Sequence, residues 1–308
     1  MANLSVQLAP KHKRGLLLAN PVMTAAGTFG YGTESSHLFA VQKLGAVICK
    51  GTTLEPREGN PQPRLAETAS GLLNSIGLEN IGVSVVIKEK APIWARWKIP
   101  VIVNIAGDTV DDYRRLASQL NGVAGISALE VNISCPNVKA GGAEFGANPD
   151  SAAEVTAAVR KATSLPVLVK LTPNTSDIAK VAVAVAEAGA DALTLINTLK
   201  GMAIDLTRRR PLLGNITGGL SGPAMKPVAL YMVYEVAGAV DIPIIGCGGI
   251  TTANDALEFI MAGATAIQVG TAGFANPGAP LDILEGIEQF LRKEGIKDIK
   301  ELVGVGRR

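Results

Sequence analysis

Apolar residues in this chain gather in short β-branched runs, and the runs recur with segments of helical character between them. Eight runs read as strands: 21–25, 46–50, 101–105, 128–133, 167–171, 192–197, 244–247 and 266–270. The intervening segments carry helix signals. Asn148-Pro149-Asp150 offers an N-cap residue, a proline at the first helical position and an early acid, ahead of Val155 and Val159. Thr252 with Asp255 forms a capping pattern, and Gly263 stands where a helix-ending glycine belongs. Strand and helix alternating along the chain predict a parallel sheet with helices outside it.

The pattern also echoes itself. Ile99-Pro100-Val101, Leu165-Pro166-Val167 and Ile242-Pro243-Ile244 each place a proline at a strand entry, where its missing N–H costs the ladder nothing. Ala188-Gly189-Ala190 and Ala262-Gly263-Ala264 each close a helix just before a strand. Eight such units without a linker-like stretch predict one closed (β/α)8 TIM barrel spanning residues 1–308, rather than a nucleotide-binding sheet with a second domain.

Composition narrows the classes of function. A chain of 308 residues that is 47% hydrophobic and 18% charged can bury one large core. A formal net charge of +2 gives no electrostatic basis for binding nucleic acid or an anionic membrane. The one basic cluster, Lys11 to Arg14, is short, ends at Gly15, and reads as a solvated turn. The N-terminus shows no long apolar stretch with a cleavage site, and no run of about 18 apolar residues suggests a membrane span. Cys49, Cys135 and Cys247 form no CxxC pair, which argues against a disulfide framework, a zinc site or an iron–sulfur cluster held by this chain alone. A reduced, cytoplasmic protein without a bound metal is expected. Cys49 and Cys247 lie within strands, and core packing is expected of both.

The chemistry gathers at the strand ends. Lys50, Asn104, Asn132, Lys170 and Asn197 all close apolar runs, and a (β/α)8 enzyme builds its active site at that face. Gly248-Gly249 follows the seventh run and Gly270-Thr271 closes the eighth, where backbone N–H groups of this fold commonly hold a phosphate. Ser221-Gly222-Pro223 opens another helix and offers further donors. The phosphate belongs either to a substrate or to flavin mononucleotide (FMN). Lys170 fits a counter-charge for a reduced flavin or, in an aldolase-like barrel, a Schiff-base lysine.

Asn132-Ile133-Ser134-Cys135-Pro136-Asn137 follows the fourth run and leads into the glycine-rich segment Lys139 to Gly146, a reactive thiol under a lid. The two histidines, His12 and His37, lie away from this face, so Cys135 is the natural base. A free thiol titrates at about 8.5, and a modest perturbation makes it useful near neutrality. The Asn132–Asn137 segment resembles the catalytic loop of the class 1 dihydroorotate dehydrogenases. Asn74-Ser75-Ile76-Gly77-Leu78 resembles their substrate-binding segment, and Asn197-Thr198 their contacts after the sixth strand. The resemblance runs from Asn20-Pro21 to Gly270-Thr271.

The resemblance implies oxidation of dihydroorotate to orotate in pyrimidine (UMP) biosynthesis, with one FMN per chain as hydride acceptor. It implies that Cys135 removes the C5 proton, and that Lys50, Asn74, Ser75, Ile76, Gly77, Leu78, Asn132, Asn197 and Thr198 hold the substrate. FMN would rest against Ala26, Lys50, Gly51, Asn104, Asn132, Lys170, Ile196, Gly222, Gly248, Gly249, Gly270 and Thr271. Ala26 departs from the pattern: many relatives carry serine there. Asn197 to Met202 and the Lys139–Gly146 segment look like the NAD-linked class 1B enzymes. Those catalytic subunits pair with an electron-transfer subunit carrying FAD and an iron–sulfur cluster, as a heterotetramer of two subunits of each kind around a catalytic homodimer. The membrane-bound class 2 enzymes carry an extension before the barrel, which this chain is not expected to have. A fumarate-using class 1A-like enzyme, or another FMN-barrel dihydropyrimidine oxidoreductase, is the alternative. A cofactor-free barrel would be colourless, and a non-catalytic scaffold would leave Cys135 unexplained.

Overall fold

The computed structural model describes residues 2–34, 39–133 and 145–307. Its central sheet holds eight strands: β1 (Val22–Thr24), β2 (Val47–Ile48), β3 (Val101–Ile105), β4 (Ala128–Asn132), β5 (Val167–Lys170), β6 (Ala192–Leu195), β7 (Ile244–Cys247) and β8 (Ala266–Val269). Each end falls within two residues of the bounds read from the sequence. Every neighbouring pair is parallel, in the order β1-β8-β7-β6-β5-β4-β3-β2. A parallel bridge between Met23 and Ala46 joins the two ends, so the ladder closes into a barrel. All five residues of β3 are buried, as are the four of β5, because the interior covers one face and helices the other. That double burial is why the strands read as unbroken apolar runs.

The outer layer holds α1 (Val110–Leu120), α2 (Pro149–Ala162), α3 (Ile178–Glu187), α4 (Lys226–Val236), α5 (Ala253–Ala262) and α6 (Ala279–Lys293). Each presents one apolar stripe; in α1 it is Tyr113, Leu116, Ala117 and Leu120, spaced three and four apart. The N-cap of α2 is Asn148, whose side chain accepts from the Asp150 and Ser151 amides. Between β2 and β3 the helical segment 82–94 includes a π-turn, Val86–Lys90. No helix among the described residues is long and apolar enough to cross a membrane.

Three sheet elements among the described residues lie outside the sequence expectation, the third pairing Ile204–Asp205 with Arg210–Pro211. A hairpin pairs Val6–Gln7 with Leu17–Leu18, and its turn carries the basic cluster, with Lys11, Lys13 and Arg14 exposed. His12 in that turn feels Asp191 and Arg160, and burial lowers its pKa. Asp191 precedes β6, so His12 sits at the strand-start end of the barrel, opposite the strand ends. The second element is an antiparallel sheet of Leu65–Thr68, Gly71–Asn74, Leu199–Gly201 and Gly218–Ser221, inserted after β2 and after β6. Its strand Gly218–Ser221 begins with two glycines and reads as a loop. Gly219 is required there because a Cβ would overlap the Thr198 hydroxyl.

The start of α5 is the most heavily bonded helix terminus. Thr252 accepts from the Asp255 amide (3.2 Å), while the Asp255 carboxylate accepts from the amides of Thr251 (3.0 Å) and Thr252 (2.8 Å) and from the Thr251 hydroxyl (2.8 Å). Lys226 Nζ at the start of α4 completes the set at 2.6 Å. Burial pushes the Asp255 pKa up, but Lys226 and the threonine donors outweigh it and hold it well below the usual carboxylate range. A pKa depressed in the folded state adds stability that is complete above the ordinary aspartate value of about 4 and disappears as acid protonates the folded form. Asp255→Asn is therefore expected to lower stability at neutral pH by about 1–3 kcal/mol, the cost of leaving buried donors unpaired. Denaturant melts should show that difference shrinking below about pH 4.

Candidate active site

Parallel closure brings the C-terminal ends of all eight strands to one face, and a cavity of about 270 Å³ opens there. Its size is close to the small-molecule range of about 300–1,000 Å³. The five strand-end residues Lys50, Asn104, Asn132, Lys170 and Asn197 all line it. So do the other positions expected to contact FMN, from Ala26 to Thr271.

The floor is polar where a barrel interior is usually branched aliphatic. Lys170 on β5 is 4% exposed, and its ammonium donates to Gln268 Oε1 at 3.3 Å and approaches Cys247 Sγ at 3.9 Å. Burial works against the Lys170 charge, but the Cys247 sulfur and the Glu130 carboxylate outweigh it, so the pKa lies above the ordinary lysine value. Burial pushes the Cys247 thiol up in turn, with Lys170 pulling partly against it. At neutral pH the pair is an ammonium beside a thiol. Cys247 is thus buried, as expected of a core residue, yet it faces the cavity; Cys49 is fully buried in the core and does not line it.

The mouth carries the amides. Asn197 Nδ2 donates to Asn132 Oδ1 at 3.4 Å, and the Tyr113 hydroxyl fixes the Asn132 carbonyl at 2.7 Å. Asn74, at the end of its antiparallel strand, donates to the Gly219 carbonyl at 3.1 Å. Lys50 follows β2, with its amide bonded to the Gly30 carbonyl (2.7 Å) and its ammonium 3.9 Å from Glu79, which Arg64 holds at 3.0 Å. Ile76, Gly77, Leu78 and Thr198 line the same opening. Ser75 does not line it: its hydroxyl accepts from Asn60 (3.0 Å) and Asn215 (3.1 Å), and the residue is 2% exposed.

Beside β7 and β8 the wall is bare backbone. Gly248 and Gly249 take φ of 126° and 76°, in the left-handed region that favours glycine. A Cβ on Gly249 would stand 2.5 Å from the Lys226 amide nitrogen at the start of α4. Gly222, Gly270 and Thr271 continue this wall, and the Thr271 hydroxyl donates to Ser221 Oγ at 2.8 Å. The arrangement suits an anion.

Cys135 lies outside the described residues, as do Ser134, Pro136, Asn137 and positions 138–144; His37 does too. Ile133, two positions before Cys135, is buried at the end of β4 beside Asn132. Several cavity residues escaped the sequence reading: Gln268 and Cys247 on the floor, and Leu65, Leu72 and Leu220 from the antiparallel sheet. Gln268, and Glu130 behind it, were visible in principle as polar residues inside apolar runs, Ala266-Ile267-Gln268-Val269 and Ala128-Leu129-Glu130-Val131. Their meaning depends on strands that are distant in sequence.

The family model described as dihydroorotate dehydrogenase matches residues 10–291. A Geotalea daltonii protein named dihydroorotate dehydrogenase B (NAD(+)), catalytic subunit, is 56% identical over 302 residues, covering 98% of this chain and 97% of the relative. A Trichlorobacter lovleyi protein of the same name is 58% identical over 289 residues, covering 94% and 95%. Among solved structures, the dihydroorotate dehydrogenase of Eimeria tenella in complex with ferulenol superposes with a TM-score of 0.82 at 25% identity, covering 99% of this chain and 89% of that one. Matched by one family model over nearly all its barrel, and more than half identical to B-type relatives end to end, the chain belongs to the dihydroorotate dehydrogenase family, in its class 1B branch.

Proposed function

We propose that this chain oxidises dihydroorotate to orotate as the catalytic subunit of an NAD(+)-linked enzyme, with FMN bound in the strand-end cavity. The observation that carries the reading is the joining, in one cavity, of a buried ammonium, a glycine wall and a ring of amides. Relatives named as catalytic subunits of NAD(+)-linked dihydroorotate dehydrogenase support it.

The residues present fit FMN. Asn104 Oδ1 is buried in the cavity wall with no hydrogen-bond partner among the described residues, an acceptor waiting for a donor. Gly51 lies so close that a Cβ would stand 3.1 Å from that oxygen. Gly222, Gly248, Gly249, Gly270 and Thr271 would hold the phosphate; Ala26, Lys50, Gly51, Asn104, Asn132, Lys170 and Ile196 would border the ring. At Ala26 no side-chain hydroxyl is on offer. When bound, FMN supplies a hydride acceptor for C6 of the substrate.

The chain's own groups do the rest. Lys50 would pair with the substrate carboxylate. Asn74, Asn132 and Asn197 each offer one amide donor and one acceptor, matching the alternating N–H and C=O edge of a dihydropyrimidine. Ile76, Gly77, Leu78 and Thr198 would complete the pocket, with Ser75 acting from behind through Asn60 and Asn215. Cys135 would take the C5 proton, so that the C5–C6 double bond forms as C6 loses its hydride. The Lys170 ammonium would offset the negative charge that arrives on the ring. Leu65, Leu72 and Leu220 of the antiparallel sheet line the same cavity and would give a bound ring apolar contact. The electrons would leave through a partner subunit carrying FAD and an iron–sulfur cluster, in an assembly of two catalytic and two electron-transfer subunits built on a catalytic homodimer.

An anaerobic visible spectrum of the purified chain tests the reading. A flavin spectrum that bleaches on adding dihydroorotate is expected; a protein that stays colourless after incubation with FMN would end it. Cys135→Ser should keep FMN yet lose about 10²–10⁴-fold in the rate of flavin reduction at neutral pH, with partial recovery at high pH. A wild-type rate in stopped flow would remove Cys135 from the base role. Lys170→Ala should weaken FMN retention or slow its reduction; unchanged flavin content and rate would refute the counter-charge.

A further inference from the structure

Behind the cavity floor, Glu130 on β4 is fully buried. Its carboxylate accepts from Asn104 Nδ2 on β3 (2.7 Å), Thr194 Oγ1 on β6 (2.9 Å) and Gln268 Nε2 on β8 (2.6 Å). Side chains from three strands thus meet on an acid carried by a fourth. A buried carboxylate is costly unless its lone pairs are hydrogen-bonded, and three donors at these distances occupy three of its roughly four acceptor directions.

The acid also imposes a direction. A carboxylate offers acceptors only, so each amide must turn its NH2 toward Glu130, and the position of its oxygen follows. Gln268 Oε1 is left to accept from the Lys170 ammonium at 3.3 Å. Asn104 Oδ1 is left in the cavity wall, buried and without a partner among the described residues. Either amide reversed would set an oxygen against the carboxylate and an NH2 against the cavity or the ammonium. The floor therefore presents a fixed order, an acceptor at Asn104 and a cation at Lys170, set by a residue that does not itself line the cavity.

We infer that Glu130 is a positioning residue for the bound flavin: it aims the Asn104 carbonyl oxygen at an N–H of the ring and, through Gln268, keeps the Lys170 ammonium on the cavity floor. The inference rests on the FMN reading above. It separates Glu130 from a core residue, because what it contributes is the polarity of two amides rather than the filling of space.

The test compares wild type, Glu130→Gln, and the double variant Asn104→Asp with Glu130→Gln. Three quantities are read in deflavinated and reconstituted protein: FMN affinity by fluorescence quenching, the midpoint potential of the bound flavin, and the thermal midpoint. In Glu130→Gln the new amide must point its NH2 at one former donor, so one partner turns over. FMN affinity should fall about 10- to 100-fold, the range for a buried polar group left mispaired. The potential should rise, because a buried negative charge near the ring has gone. In the double variant the new amide donates to the introduced carboxylate, which again turns an acceptor to the cavity; affinity should largely return and the potential fall back. Glu130→Gln that folds and matches wild type in affinity and potential would overturn the inference. So would a double variant with no recovery, or failure of both variants to fold, which would make Glu130 a core residue only. A single variant that fails to fold beside a double variant that folds and holds FMN would support it. Wild-type protein unable to take up FMN would instead remove the flavin reading, a result distinct from all of these.

Discussion

A parallel ladder of eight strands has no free edge once β1 meets β2 through Met23 and Ala46, and that closure organises everything else in the molecule. Parallel strands joined by outer helices must all end on the same side. Residues as far apart as Lys50 and Thr271 therefore share one cavity although nothing in the local chain brings them together. Closure also confines the interior: any side chain pointing inward near the strand ends must either fill space or be bonded there. Glu130, Lys170, Thr194 and Gln268 answer the second requirement, with exposures of 0%, 4%, 0% and 1%.

The electrostatics of the floor follow from that confinement. Burial acts against ionising either member of the Lys170–Cys247 pair; the Cys247 sulfur and the Glu130 carboxylate outweigh it for the lysine, whereas for the thiol Glu130 adds to the burial and Lys170 only partly opposes it. Both pKa values are pushed up, which favours the ammonium of Lys170 and the thiol of Cys247. The rim is different in kind. Lys50, Glu79 and Arg64 are partly solvated, with side-chain exposures of 27%, 50% and 19%, so their ion pairs are weak and easily exchanged for a ligand's carboxylate.

The eight strands were legible because each is buried on both faces and so reads as an apolar run, and the strand-end polar residues were legible because they interrupt those runs. The caps at Asn148 and Thr252 were equally plain, since capping is a contact between residues three apart. The antiparallel sheet was not, because Gly218-Gly219 is chosen for closeness to Thr198 rather than for strand propensity. Nor was Glu130. A lone acid in an apolar run shows that something bonds it, but its donors come from strands 26, 64 and 138 residues away. Cys247 is buried as its place in an apolar run suggests, and what the run could not show is that it also lines the cavity.

Closure has a further side when the chain is being made. β8 pairs with β1 through Ile267 and Val22, so the first barrel strand synthesised waits for the last one. Until residues 266–269 emerge, β1 and β7 both expose unpaired N–H and C=O groups along apolar strands, an open template for another chain. Contacts of this sequence separation form slowly. A truncation that loses β8 would therefore do more than leave a helix undocked: it would turn an edgeless barrel into a sheet with two adhesive borders, and aggregation rather than loss of fold would be its first symptom.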